Sequence, residues 1–265
     1  MRGVAMNFTP PARKLAALLV ASILLSTSAA YGVELKVMIS GGFQAAYRDL
    51  LPEFQRTTQH SVVTSGGASM GSAPNSIPSR LQRGEPVDVL IMVGDALEEL
   101  TKQGKIAPGS RVDLARSRIG MAVRAGASKP DITTVDAFKR AMLEAKSVAI
   151  SSSASGVYLS TELFPQLGIA DQKRNKTLSA GTAGVPVARG EAEIALQQIS
   201  ELLPVPGIDY VGPLPSEIQK ITVFSAAIGA GAKESEAARA LIQFLSSPAA
   251  APAIAKSALE AMTSR

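Results

Sequence analysis

The stretch that decides the fold reads Val148-Ala-Ile-Ser-Ser-Ser-Ala-Ser-Gly-Val-Tyr-Leu159, an apolar run that breaks into hydroxyls and glycine where a helix should begin. Val148 to Ile150 suits a buried parallel strand, and Ser151, Ser152, Ser153 and Ser155 are the residue types that cap helices. A helix from Gly156 through Leu167 would aim its unpaired N–H groups and positive dipole end back over the serines. The serines are therefore either caps alone or the floor of an anion cradle. Similar junctions elsewhere in the chain favour the cradle.

Working outward, the same unit is expected to hold a helix at Val135–Ala145, strands at Lys176–Ala180, Ile194–Gln198 and Ile208–Val211, and a short helix ending near Gly190. Arg118–Val123 reads as a strand entering this unit, and Ile221–Ile228 as one leaving it. Before it stand strands at Glu34–Ile39, Val62–Thr64 and Val87–Val93, with helices at Phe43–Thr58, after the small-residue loop Ser65–Asn75, and at Gly94–Gln103. Helices at Ser235–Leu245 and Ala249–Leu259 close the chain. Alternating strands and helices predict an α/β protein of two lobes, joined by two crossover strands, with a cleft between them that closes by hinge motion on a small anion. The expected division is 31–116 plus 222–265 for one lobe and 117–221 for the other.

The front of the chain reads as a secretory leader, residues 1–30. Arg2, Arg13 and Lys14 stand without acids, Leu15–Leu25 is apolar but too short to span a bilayer, and Ser28-Ala-Ala30 offers a cleavage site after Ala30. The expected product is exported, periplasmic in a Gram-negative source, with no membrane insertion after cleavage. Without the leader, 24 basic residues face 22 acidic ones, a balance that argues against nucleic acid or a membrane surface as partner. There is no cysteine, and the single histidine, His60, reads as a solvated loop residue, so neither thiolate chemistry nor a His-rich metal site is expected.

From Val33 to the C-terminal helices the chain resembles the periplasmic solute-binding proteins of the molybdate-binding type, a two-lobed type II periplasmic binding fold. The resemblance rests on Val37-Met-Ile-Ser-Gly-Gly-Phe, Arg83-Gly-Glu-Pro-Val-Asp-Val, Ser155-Gly-Val-Tyr, Arg189-Gly-Glu-Ala and Glu236-Ala-Ala-Arg-Ala-Leu-Ile-Gln-Phe-Leu-Ser-Ser-Pro. It implies a ligand between the lobes but not molybdate. The family's ligand-holding serines fall on Gly42 and near Pro74 or Asn75, and its tyrosine on Gln198, while hydroxyls stand nearby at Ser40, Ser69, Ser72 and Ser153. Glycine at position 42 is expected to open room for a larger anion, such as a di- or tricarboxylate.

Ser69-Met-Gly, Ile77-Pro-Ser-Arg-Leu, Met92-Val-Gly, Ser152-Ser-Ala-Ser-Gly-Val-Tyr-Leu-Ser and Gln197-Gln-Ile-Ser-Glu-Leu look like the aconitate-isomerase branch of that scaffold. That likeness implies an allylic proton shift between trans- and cis-aconitate without cofactor; a monomer with no metal is expected. The alternative is a binding protein that delivers a small anion to an ABC permease. The expected ligand residues are Ser40, Gly41, Gly42, Ser69, Met70, Gly71, Ser153, Ser155, Gly156, Val157, Tyr158 and Gln198. Arg48 and Arg80 are conceivable cations that at helical spacing more often face water. The acid and base stay open among Tyr158, which otherwise packs between helix and sheet, Glu201, which reads as a solvated helix-end charge, and an activated serine.

Overall fold

The structure is a computed structural model that describes residues 32–174 and 176–263, together with Met1 and Gly3. The rest of the expected leader, with its cleavage site, lies outside the described residues. In chain order the first elements are β1 (Glu34–Ile39), α1 (Gly41–Thr58), β2 (Ser61–Gly66), α2 (Ile77–Gln82), β3 (Val89–Val93), α3 (Gly94–Lys102), β4 (Val112–Ser117) and β5 (Ile119–Arg124). There follow α4 (Val135–Glu144), β6 (Val148–Ser151), α5 (Ala154–Tyr158), a π-helical turn at Leu159–Leu163, α6 (Phe164–Gln166), α7 (Ala170–Arg174), β7 (Thr177–Ala180), α8 (Gly184–Ala188), β8 (Ile194–Gln198) and α9 (Ile199–Leu202). The chain closes with β9 (Ile208–Pro213), β10 (Thr222–Ile228), α10 (Ser235–Leu245), α11 (Ala251–Lys256) and β11 (Glu260–Ala261).

Two mixed sheets organise these elements, in the orders β11-β4-β10-β3-β1-β2 and β7-β6-β8-β5-β9. In the first, β1 runs parallel to β2 and β3, while β10 is antiparallel to β3 and β4. In the second, β6 runs parallel to β7 and β8, while β5 is antiparallel to β8 and β9. Only Arg118 separates β4 from β5, so the chain passes between sheets in one extended step, and it returns between β9 and β10. The expected two-lobed architecture with two crossings is the one observed. Among the described residues no helix is long and apolar enough to cross a membrane.

Local chemistry explains the elements that frame the cleft. β3 reads Val-Leu-Ile-Met-Val and is buried throughout, as a central strand covered on both faces must be. α1 buries Phe43, Ala46, Tyr47, Leu50 and Phe54, spaced to form one apolar stripe against the first sheet. α1 then stops at Gln59, whose left-handed backbone lets its N–H reach the Gln55 carbonyl. The helix expected over Gly156–Leu167 is broken by the π turn, and α5 is crowded onto its own strand: a Cβ on Gly156 would overlap the Ser151 carbonyl oxygen.

Two buried charged groups serve the frame. Lys173 donates Nζ to the Ala145 carbonyl at 2.8 Å, capping the C-terminus of α4, and burial lowers its pKa. Asp88, just before β3, accepts from the backbone N–H groups of Lys36 at 2.8 Å, Lys233 at 2.9 Å and Glu234 at 3.3 Å, locking β1 to the entry of α10. Asp88→Ala leaves these donors unpaired and is expected to cost about 3 kcal/mol, lowering the melting temperature by roughly 6–12 °C in a thermal melt.

Candidate functional site

A cleft of about 470 Å³ lies beyond the carboxyl ends of the parallel strands. Ile39, Gly66 and Val93 end β1, β2 and β3 at its wall, and Ser151 and Gln198 end β6 and β8 there. Gly181 and Thr182, just past β7, complete the second side, and Phe224 of β10 lies at the crossing. Each sheet thus contributes strand ends, most of them followed by serine or glycine.

The serines of this lining keep hydroxyl hydrogens to give. Ser40 precedes α1 in extended conformation but makes no capping bond, and its Oγ, in a residue only 4% exposed, has no partner among the described residues. Ser155, 2% exposed, is likewise unpartnered. Ser69 Oγ accepts from the Val93 N–H at 3.1 Å and Ser151 Oγ from the Ser153 N–H at 2.9 Å, which leaves both hydrogens available. No acid of the helix itself stands in the first turn of the 18-residue α1, whose first residues Gly41 and Gly42 line the cleft.

Glu201, in the single turn of α9, is the one titratable side chain among the described lining residues. It sees solvent only in part, and it borders the cleft. Its carboxyl lies against the start of α1, where a Cβ on Gly41 would overlap Oε1. Burial pushes its pKa up from 4.5 to about 7, opposed by a hydrogen bond from the Gln197 amide. Gln197 is itself held by the Ala183 N–H at 2.7 Å and the Gly181 carbonyl at 3.3 Å.

The crossing strands are tied by two other glutamines. Gln198 accepts from Ser117 Oγ at 2.7 Å and donates to Thr222 Oγ1 at 2.9 Å, joining β8 to both β4 and β10. Gln219 accepts the Ile119 N–H and donates to the Ile119 carbonyl, both at 2.8 Å, pairing the return crossing with the outgoing one.

The model of the bacterial extracellular solute-binding protein family matches residues 35–259. The chain belongs to that family. It is 47% identical over 252 residues to an aconitate isomerase from a Pseudomonas species, covering 94% of this chain and 96% of the relative. To the molybdate-binding protein ModA of Azotobacter vinelandii it is 28% identical over 241 residues, covering 87% and 91%. The solved periplasmic molybdate-binding protein of the same organism superposes with a TM-score of 0.70 at 22% identity, over 87% of this chain and all of the other, which is a likeness of fold. As an extracellular solute-binding protein the chain is an exported protein.

Within this solute-binding protein the structure brings Ser40, Gly41, Gly42, Ser69, Met70, Gly71, Ser153, Ser155 and Gln198 to the cleft. Gln198 arrives with both ends of its amide already bonded, to Ser117 of β4 and Thr222 of β10. Gly42 does not open the room expected of it, because the Phe224 ring fills the place where its Cβ would be. Three expected residues lie elsewhere. Gly156 and Val157 line a separate cavity of about 490 Å³ behind β6. Tyr158 packs against the second core and donates its hydroxyl to the Ile218 carbonyl at 2.8 Å, with Lys220 Nζ 5.0 Å from its ring. Arg80 is engaged with Glu85 at 2.7 Å, Arg48 is exposed, and His60 lies in the loop between α1 and β2 as expected but is half-buried, its Nδ1 accepting the Val33 N–H at 3.2 Å.

The expected solvated charge at Glu201 is the opposite of what the fold makes of it. Glu201 stood among the candidate acids and bases but its burial had no local signal, and Phe224 had none, since their surroundings come from distant segments; Gly181 and Thr182 were not expected at the site, although they follow a strand like the other junctions. A carboxyl with a pKa of 4.5 unfolded and about 7 folded binds its proton more tightly in the folded state. The fold therefore bears no penalty below pH 4.5 and loses up to about 3 kcal/mol as the pH rises to 7. Glu201→Gln is expected to melt higher than the parent at about pH 8 and to lose that advantage at about pH 4 in parallel calorimetric scans.

Proposed function

We propose that this exported protein is an aconitate isomerase, which moves the carbon–carbon double bond of an unsaturated tricarboxylate by an allylic proton shift, with the substrate clamped between its lobes. The observation that carries the reading is the composition of the cleft: hydroxyl and N–H donors with a titratable carboxyl among them and, among the described lining residues, no cation. Donors of this kind hold carboxylates and take up the negative charge that develops when a proton leaves the carbon beside one. A receptor for an anion is weakened by a carboxyl in its site, whereas a proton-transfer enzyme needs such a group. The Pseudomonas relative, aconitate isomerase by name, supports the same conclusion along nearly the whole chain.

In this reading the lobes are 31–116 with 222–265 and 117–221, hinged where the glutamines bridge the crossings, and the protein acts as a periplasmic monomer after removal of residues 1–30. Ser40, Ser69, Ser153 and Ser155, with the backbone of Gly41, Gly42, Met70 and Gly71, bind the carboxylates. Delivery of a small anion to an ABC permease is the second reading, favoured by the family itself.

Incubation of the purified protein with trans-aconitate is expected to produce cis-aconitate catalytically, followed by proton NMR without added cofactor. Stoichiometric binding without conversion would leave the receptor reading. Ser40→Ala and Ser155→Ala are each expected to raise KM for trans-aconitate about 10- to 100-fold, by removing one donor to a charged oxygen. Each is also expected to stabilise the ligand-free fold by about 1 kcal/mol, because a buried hydroxyl without a partner is gone. Titration calorimetry and thermal melts on the same samples check both signs.

A further inference from the structure

We propose that Glu201 is the catalytic residue that carries the proton in this shift, acting as base and acid in turn on one face of the substrate. The inference rests on the isomerase reading and adds the group that performs it. Three observations place it there. Glu201 is the one titratable side chain among the described lining residues. Its carboxyl crosses from the β8–α9 turn to the first residue of α1, and the glycine there is the residue that leaves it room. The unpartnered hydroxyls of Ser40 and Ser155 belong to the same lining, one from each sheet's connections.

The chemistry balances with one group. The Glu201 carboxylate takes a proton from the methylene carbon of the substrate, and the C–H electron pair becomes a new C=C bond to the central carbon. The old C=C pair moves outward, so that the carbon beside the far carboxylate and that carboxylate's oxygens share the negative charge. Hydroxyl and N–H donors hold it there. Glu201 then returns the proton to that carbon, regenerating its carboxylate. No electron is gained or lost, nothing leaves, and the proton count is unchanged. The two ends of the allylic unit flank a single carbon, so one carboxyl serves both.

Gln197 acts as a positioning residue, since its amide holds the carboxyl while its other contacts anchor it to Ala183 and Gly181. Burial, with no ionic partner contributing, keeps the carboxyl near half-protonated around neutrality, where a group serves equally as acid and base. Substrate carboxylates, which add negative charge beside it, raise its proton affinity further.

The deciding experiment compares the full protein with Glu201→Gln, using trans-aconitate deuterated at the methylene carbon in ordinary water. The glutamine variant is expected to lose about 10²- to 10⁴-fold in kcat while its calorimetric Kd for trans-aconitate stays within about threefold, since the amide keeps the shape of the carboxylic acid. In the parent, deuterium is expected to appear on the carbon that receives the proton. Undiminished kcat in Glu201→Gln overturns the proposal, and so does a variant whose loss lies wholly in binding, which would make Glu201 a closure contact on α1. Complete replacement of the label by solvent hydrogen in the parent overturns the single-group shuttle. A parent protein with no conversion at all sinks the isomerase reading and this inference with it, whereas an active parent with an equally active variant sinks this inference alone.

Discussion

Glu201 and Gly41 belong to connections of different sheets, yet the carboxyl of one lies where any β-carbon on the other would stand. An acid held there without a cation is costly to ionise, and that cost shapes its surroundings. It makes glycine the residue that fits at the start of α1. It puts Gln197 to work as an anchor from below, and it leaves the carboxyl poised near neutrality rather than in the usual carboxylate range. A similar constraint operates one residue on, where the Phe224 ring excludes any side chain at position 42. Two consecutive glycines therefore answer to two different neighbours, and both neighbours line the cleft.

Around this contact the fold supplies donors without neutralising them. Helix starts that ordinarily satisfy their own N–H groups with a serine cap do not do so at Ser40 or Ser153. The hydroxyls at Ser40 and Ser155 remain unpartnered in burial, a local instability that a ligand rich in acceptors relieves. The crossing strands are meanwhile over-determined, with Gln198 and Gln219 each holding two bonds at the crossings. Rigid stitching at the crossings thus accompanies open valences at the strand ends.

Much of the frame was legible because hydrophobic period and punctuation are local. The span of α10 at Ser235–Leu245 and of β1 at Glu34–Ile39 follow from apolar spacing alone. β4 at Val112–Ser117 was not legible, since Asp113 and Arg116 interrupt its apolar residues and its pairing with β10 and β11 is what makes it a strand. The break after Tyr158 escaped notice for a different reason. Apolar spacing continues through Leu167, but Pro165 has no N–H to give the Thr161 carbonyl, and the π turn at Leu159–Leu163 lies directly before it. Tyr158 itself is drawn away from the cleft by Ile218, a partner from the return crossing.

The sequence by itself determined that this is an α/β chain of two lobes with serine and glycine at its strand ends, because composition and periodicity are carried by neighbouring residues. It also determined which junctions would carry hydroxyls. Only the tertiary structure decided what those junctions do together. It decided that Gly42 is filled rather than open, that Gln198 ties the two crossing strands, and that Glu201, whose sequence neighbours suggest a solvated charge, is a part-buried acid at the cleft wall against α1. The physical reason is that solvation and proton affinity depend on everything within a few ångströms, and at Glu201 those atoms come from the start of α1, far away along the chain.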